Sequence, residues 1–449
     1  MSCPVYSRYS TEEMSRIFSE EAKIERWLKV EAVLAQSQAE LNLIPKEASE
    51  EISKKANLTY VSIKRIKEIE KEIDHDLLAV VKALSEVCEK NYGRFVHKGA
   101  TSYDIEDTAW AIAFKEALGV LKGRIKELIK ILLEKAERYK DLACIGRTHG
   151  QHALPTTYGM KFAIWAYDMF RCIERIDFLE KNDLIGKMSG AVGTMAGFGK
   201  KGIELQEIVM KKLGIKPALI SNQVVQRDVF SDFIYLNALI AANLEKIAKE
   251  IRNLQRTEIG EMLEPFKEKQ AGSSTMPHKR NPHRSERICS LARYLRSLVT
   301  VSLENIALEH ERDLTNSANE RIIISHSFIL VDYILNEAID ILKNLVINEK
   351  NVERNLNLLR GINLSENVML KLVDKGMSRE EAYEIIRNTA IKSYEEEKDF
   401  IQELLKNEKV SSFIKESELK ELLNPKNYLG LAEKIVERSI HEIKSQLNL

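Results

Sequence analysis

From Val224 to Ile259 no glycine or proline interrupts the chain, and Phe230, Phe233, Ile234, Leu236, Leu239, Ile240, Leu244, Ile247, Ile251 and Leu254 recur every three or four residues. That is the period of one buried helix face, so the segment reads as a single long helix. Ile125, Leu128, Ile129, Leu132, Leu133 and Ala136 repeat the pattern over Arg124 to Ile145, and Met160 to Ile185 is a further stretch free of both breakers. His283 to Arg360 also lacks glycine and proline but is too long for one ordinary helix, so a break is expected at the polar cluster Arg312 to Asn319. At least four long bundle helices follow. Amphipathic segments around Ile24 to Leu41 and Ile63 to Cys88 read as a smaller helical domain. After Ile347 the helices shorten, and Ser378 with Glu381 forms a Ser-x-x-Glu capping box before Ala382 to Ala390. The expectation is an all-α chain of three helical domains: 1–98, a central bundle over 99–347, and 348–449.

Composition agrees with this pattern. Only 19 glycines and 8 prolines in 449 residues leave few turns. Hydrophobic residues make up 44% and charged residues 30%, which excludes a disordered chain and allows a large core. Lys plus Arg number 68 against 68 Asp plus Glu, interleaved along the chain, so no net field favours a polyanion or an anionic membrane. No stretch approaches the roughly 20 apolar residues of a membrane span, and Asp332 breaks even Phe328 to Leu335. The N-terminus lacks a signal-peptide core. Cys3, Cys88, Cys144, Cys172 and Cys289 are odd in number, scattered and without a Cys-x-x-Cys pair, which fits a reducing cytoplasm better than a disulfide framework or zinc ribbon.

Long helices explain their own residues, so chemistry is sought in the polar breaks between them. The sharpest is Gly272-Ser273-Ser274-Thr275-Met276-Pro277-His278-Lys279-Arg280-Asn281-Pro282, followed by His283-Arg284-Ser285-Glu286-Arg287. An ordinary solvated charge run has no need of Gly-Ser-Ser or Met-Pro. Asn281 as N-cap with Pro282 at the first helical position sets the positive end of a helix dipole against a loop of cations and hydroxyls, a setting that attracts anions. Ser273 beside Lys279 is a candidate activated hydroxyl. Gly146 to Pro155 carries His149 and His152, either of which can serve as acid or base near neutral pH. No further ligand cluster stands near them, which argues against a metal. Asp74-His75-Asp76 and Gly99-Ala100-Thr101-Ser102 are weaker candidates taken singly. Gly186 to Gly202 lacks Gly-Lys-Ser/Thr and a preceding strand, so it reads as a flexible interhelical turn and not as a nucleotide loop.

The stretch Gly272 to Pro282 resembles the signature loop of the fumarase/aspartase superfamily, helical lyases that eliminate fumarate from succinyl compounds. Its Met-Pro-His-Lys-Arg-Asn-Pro form is similar to that of adenylosuccinate lyases and of carboxymuconate cycloisomerases. Arg8-Tyr9-Ser10, Asp74-His75-Asp76, Arg147-Thr148-His149-Gly150 and Ser317 with Arg321 resemble the adenylosuccinate lyase family specifically. Asp74 departs from the pattern, since many relatives carry a basic or small residue before His-Asp.

The resemblance implies cleavage of adenylosuccinate to AMP and fumarate, and of succinylaminoimidazole carboxamide ribotide to its carboxamide and fumarate. Such an elimination needs a base, an acid and an anion clamp. On the family pattern Ser273 takes the Cβ proton, His149 protonates the departing nitrogen, Glu286 orients His149, and Lys279 with Asn281 holds the succinyl carboxylates where charge grows in the transition state. Catalytic His75 and the substrate-binding residues Arg8, Tyr9, Asp76, Thr101, Ser102, Gln223, Ser274, Arg287, Ser317 and Arg321 complete the implied site, with His75 and the arginines meeting phosphate. The resemblance also implies a cytoplasmic homotetramer whose sites are shared between subunits, with no metal, no organic cofactor, no nucleic acid and no membrane partner. The competing readings are a carboxymuconate cycloisomerase, which needs no nucleotide phosphate pocket, a non-catalytic crystallin-like relative, and a nucleotide-binding regulatory module.

Overall fold

The computed structural model describes residues 3–266, 275, 276 and 278–449. Ser273, Ser274 and Pro277 lie outside the described residues. The fold is all-α, as the periodicity predicts. The helices that matter for the site are α1 (Glu20–Glu40), α2 (Asp76–Val87), α3 (Ser102–Arg138), α4 (Tyr158–Asn182), α5 (Arg227–Leu254), α6 (His283–Glu304) and α7 (Ser317–Lys343), with shorter helices from Glu349 to Leu447. Between α3 and α4 lies an antiparallel hairpin of β1 (Ala143–Thr148) and β2 (Gln151–Thr157). The two other pairings among the described residues are two residues long.

Several boundaries differ from the sequence reading. The helix expected over Arg124 to Ile145 begins much earlier, at Ser102, and ends at Arg138. It runs through Gly119 and Gly123, where a Cβ would meet nothing within 4 Å, so those glycines do not break it. Ala143 to Ile145, which continue the apolar pattern, form a buried strand instead. The break before α7 spans 305–316, opening seven residues ahead of the expected Arg312. The Ile63 to Cys88 segment is two helices, Ile63–Ile73 and Asp76–Val87, parted by Asp74 in the left-handed region at φ 52°. Ser378 caps its helix as expected, accepting from the Glu381 amide at 3.2 Å.

Contacts divide the chain into two compact units. The first comprises Met1–Lys126, Arg171–Glu245 and Ile288–Glu337, and the second Glu127–Phe170, Lys246–Arg287 and Ala338–Leu449. In the first unit, the Phe114 ring of α3 stacks on Phe233 of α5 with centroids 4.2 Å apart, meets the edge of Phe230, and stacks on Phe328 of α7. Each such ring removes enough surface from water to stabilise the fold by about 1.5–3 kcal/mol. By length and composition α7 could cross a membrane, but 72% of its apolar window is buried inside the protein. The buried Asp332 carboxylate within it accepts from the Thr11 hydroxyl at 2.5 Å.

Two buried ion pairs fix the start of α3. Asp104 and Lys187, both with fully buried side chains, meet at 2.5 Å, and Asp104 also accepts from the amides of Thr101, Ser189 and Gly190. Asp107 takes Arg227 in a bidentate pair at 2.9 and 3.1 Å and accepts from the Val225 amide. The Gly186 to Gly202 segment, expected as a flexible interhelical turn, does connect two helices, and its first part is tied down. Residues 186–190 are buried, and a Cβ on Gly193 would fall 1.9 Å from the Ser221 carbonyl oxygen. The second unit has its own buried anion, Glu261, which accepts from Arg147 at 2.5 Å, Tyr158 at 2.8 Å and Asn355 at 2.8 Å. Farther along, Val368, Leu372, Phe400, Leu404, Val410 and Leu419 close a separate apolar cluster.

Removing one partner of a buried pair strands the other charge. Lys187→Met is expected to cost about 3–5 kcal/mol in urea denaturation, and Asp104→Asn combined with Lys187→Met less than the sum of the two single changes. A loss under about 1 kcal/mol for Lys187→Met would show that the pair does not anchor the fold.

Candidate active site

In the first unit a cavity of about 810 Å³ gathers seven residues singled out from the sequence: His75, Asp76, Thr101, Ser102, Gln223, Ser317 and Arg321. They come from segments far apart in the chain. His75 is the N-cap of α2, its Nδ1 accepting from the Leu78 amide at 3.3 Å. That bond leaves the proton on Nε2, which lies 3.4 Å from Ser102 Oγ in the cavity. Asp74, the residue that departs from the family pattern, caps the preceding helix in the left-handed region, a conformation aspartate tolerates, and also lines the cavity.

Thr101 and Ser102 are held by Asp104, whose carboxylate binds the Thr101 amide at 2.8 Å. Gln223 belongs to the loop fixed by the Val225 amide on Asp107, and Ser221 meets Ser189 at 2.8 Å. The two buried pairs of α3 thus set the walls of the cavity. Arg321 on α7 donates to Asp76 at 2.6 Å and lies 3.5 Å from Glu106. Burial alone would raise the Asp76 carboxyl, but the Arg321 guanidinium outweighs it and holds the group below its ordinary value. Tyr103 donates to Ser317 at 3.2 Å.

Six lining residues escaped the sequence reading, Glu70, Tyr103, Glu106, Arg312, Asp313 and Leu314, and two of them bear most on the chemistry. Arg312 donates to Gln223 Oε1 at 3.0 Å and lies 3.6 Å from the Tyr103 ring centroid, presenting a second guanidinium to the cavity. Its place in the break before α7 was the available signal. Glu106, one turn from Ser102, is buried on the cavity wall, and burial with Asp76 nearby pushes it up to about 8. Arg8 and Tyr9 do not line this cavity. Arg8 is exposed on the N-terminal turn, its guanidinium 5.8 Å from the Tyr9 ring, and Tyr9 packs edge-on against Tyr333.

In the second unit, His149 and Gly150 are the two central residues of the β1–β2 turn, with φ of 54° and 75°. Two positive φ values in succession define a type I′ turn, whose twist suits a hairpin. Histidine in that region is strained, a condition that clusters at functional sites. The hairpin is anchored below the turn by Arg147 on Glu261, and a Cβ at Gly146 would fall 2.7 Å from the Leu154 carbonyl oxygen. His149 is exposed at the tip with no hydrogen-bond partner among the described residues. His152 carries an unpartnered Nδ1, and burial together with Arg147 lowers its pKa.

A second cavity in this unit, of about 690 Å³, is lined by Lys279, Asn281 and Glu286 with the end of α5. Among the described residues no hydrogen bond joins Glu286 to His149. Arg287 follows Glu286 in α6. The expected helix start is corrected in one respect. Helix α6 begins at His283, and its first amides are met by buried Glu264, which accepts from Ser285 at 2.6 Å and Arg284 at 3.4 Å. A carboxylate already occupies the positive end of the dipole, so anion attraction here falls to side-chain cations.

Comparison with known proteins makes this helical fold that of a lyase of the fumarase/aspartase superfamily. The Lyase family model matches residues 7–295, and a second family model, adenylosuccinate lyase C-terminus, matches 361–439. Among solved structures, fumarate lyase from Mesorhizobium sp. BNC1 superposes with a TM-score of 0.89 at 28% identity, covering 97% of this chain and 99% of that one. The 3-carboxy-cis,cis-muconate lactonizing enzyme from Pseudomonas putida gives 0.88 at 28% identity, covering 97% and 98%. Adenylosuccinate lyase of Methanocaldococcus jannaschii is 51% identical over 444 residues, 99% of this chain and 96% of the relative, and that of Pyrococcus abyssi is 51% identical over 441 residues, 98% of each. The chain belongs to the adenylosuccinate lyase family.

With its pKa near 8, above the ordinary 4.5, folded Glu106 keeps a proton that the unfolded chain releases, so its contribution to stability is lost as pH rises from about 4.5 through 8. Glu106→Gln is expected to match the wild-type melting temperature at pH 5 and exceed it at pH 9. A constant difference between the two across that range would contradict a neutral Glu106.

Proposed function

We propose that the protein cleaves adenylosuccinate to AMP and fumarate, and succinylaminoimidazole carboxamide ribotide to its carboxamide and fumarate, by β-elimination. The observation that carries this reading is the convergence of His75, Ser102, Gln223, Ser317 and Arg321, with Arg312, on one cavity. Two guanidiniums and several hydroxyls suit a phosphate monoester, because planar forked donors bind phosphate oxygens in pairs. A carboxymuconate cycloisomerase would need no nucleotide phosphate pocket. A non-catalytic relative or a nucleotide-binding regulatory module has no need of Ser273, His149 and Lys279 together.

In the proposed reaction, Ser273 abstracts the Cβ proton of the succinyl group and His149 delivers a proton to the nitrogen as the C–N bond breaks. Electrons flow from the C–H bond into the new C=C bond of fumarate and out to the leaving nitrogen, the purine amino nitrogen in one substrate and the carboxamide nitrogen in the other. Exposure of His149 on a rigid turn suits an acid that meets its substrate on another surface, and Glu286 of a neighbouring subunit orients it. Lys279 and Asn281 hold the carboxylates, with Ser274 and Arg287 beside them, while Arg8 and Tyr9 reach the nucleotide from the N-terminal turn. The assembly is a cytoplasmic homotetramer built on segment 99–347, each site drawing on three subunits. This chemistry moves protons and needs no metal or organic cofactor.

Loss of succinyl-purine absorbance with appearance of fumarate is expected for adenylosuccinate and not for carboxymuconate. Silence of a verified tetramer toward both favours the non-catalytic reading. Ser273→Ala and His149→Gln should each lower kcat by about 10²–10⁴-fold with the oligomer intact, the range expected for a lost acid or base. Mixing the two inactive variants should restore part of the activity; no recovery after verified subunit exchange speaks against shared sites.

A further inference from the structure

Ser102, Glu106 and Trp110 fall at i, i+4 and i+8 on α3, and Ser317, Arg321 and Ser325 do the same on α7, so each triplet is one stripe along its helix. Ser102 and Ser317, at one end, line the cavity of the first unit described above. Trp110 and Ser325, at the other end, line a second cavity of about 250 Å³. Glu106 and Arg321, midway along the stripes, line both cavities and form the wall between them. On that wall Arg321 stands between two carboxylates held in different ways. Asp76 accepts from Arg321 at 2.6 Å through one oxygen and from the Leu77 amide at 2.8 Å through the other, so its charge is engaged. Glu106 makes no hydrogen bond among the described residues, and its one ion contact there is the second Arg321 nitrogen at 3.5 Å, too long for a charge-assisted bond.

The other charges facing this wall are committed or of the wrong sign. From α1, Arg26 is taken by Glu116 at 2.8 Å, Glu20 by Lys67 at 2.5 Å, and Lys23 lies over the Trp27 ring at 4.7 Å. Next to Glu106 on α3, Asp107 is bound by Arg227, and Tyr103 donates to Ser317. The break before α7 brings Arg312, held by Gln223, and the acidic Asp313. The α2 side adds His75 at the N-cap, with Glu70 and Asp74 before it, and Tyr6 comes from the N-terminal turn. An ionised Glu106 therefore has one guanidinium to turn to, and it is the one the nucleotide phosphate needs.

We propose that Glu106 is a positioning residue for Arg321: as a neutral carboxyl it leaves the second guanidinium nitrogen to the nucleotide phosphate, and as a carboxylate it draws that nitrogen away and repels the phosphate. This rests on the lyase reading for the nucleotide, and on the shared wall for the coupling. Asp76 keeps the first nitrogen in both states. Burial with Asp76 nearby pushes Glu106 up to about 8, so the exchange falls within the range of ordinary buffers. A phosphate beside the wall favours the protonated form, so binding takes up a proton at alkaline pH and affinity falls as pH rises through 8.

The test is titration calorimetry of the native oligomer with AMP and with adenosine at pH 7 and pH 9. Wild type is expected to bind AMP about tenfold more weakly at pH 9, the loss that follows when the empty site ionises near pH 8 and the occupied one does not. Adenosine, which brings no phosphate, should change less than about twofold, and so should AMP with Glu106→Gln, which cannot ionise. At pH 8.5, titrations in buffers of different ionisation enthalpy should show wild type taking up about half a proton or more per AMP, and the variant none. Uptake by His75 would persist in the variant and is told apart in this way. The same AMP profile in both proteins overturns the proposal. So does a wild type that takes up no proton, a measurement that does not depend on the variant keeping its oligomer. Absence of AMP binding at both pH values contradicts the nucleotide reading and the proposal with it, whereas AMP binding without pH dependence contradicts the proposal alone.

Discussion

A charge taken out of water must find a partner, and the first two turns of α3 are organised by that requirement. Asp104 and Asp107 both point into the protein. The first gathers Lys187 and three backbone amides, and the second gathers Arg227 and the Val225 amide. Each acceptor pulls a different loop onto the helix. Thr101 and Ser102, the 189–190 turn and the loop bearing Gln223 therefore take fixed positions around one cavity. Glu106, between the two aspartates in sequence, lines the cavity, and burial, with Asp76 nearby, pushes its carboxyl up to about 8. Three neighbouring acidic residues thus have distinct roles, set by where the helix turns each of them.

The second unit solves a similar problem with Glu261. That carboxylate ties Arg147 of the hairpin, Tyr158 at the start of α4 and Asn355 to one point. The anchored hairpin can then hold His149 in a left-handed conformation at its tip, where a loose loop would relax. The signature loop is likewise tied to the end of α5 through Gln255, while Glu264 neutralises the N-terminus of α6.

The helices were legible because uninterrupted apolar periodicity leaves few alternatives, and α4, α5 and α7 begin or end within a few residues of the pattern. The hairpin was not legible. Ala143, Cys144 and Ile145 are apolar enough to extend a helix, and His149-Gly150 lacks the Asn-Gly signal of a tight turn. The residues that gather at the first cavity were visible since His, Ser and Arg in polar breaks have little structural reason to be there. Asp104 and Glu261 were invisible, as an acidic residue in a helix or loop ordinarily faces water, and their partners stand 83 and 114 residues away. Only the fold brings such pairs together, so buried anchors stay hidden where exposed motifs do not.

The central claim is that the cavity of the first unit takes a nucleotide through its phosphate. Titration calorimetry of AMP and adenosine against wild type and Arg321→Met tests it most directly. The account expects AMP affinity to fall about tenfold or more in the variant, with adenosine, which lacks the phosphate, bound equally by both. Equal AMP affinity in the two proteins would contradict it.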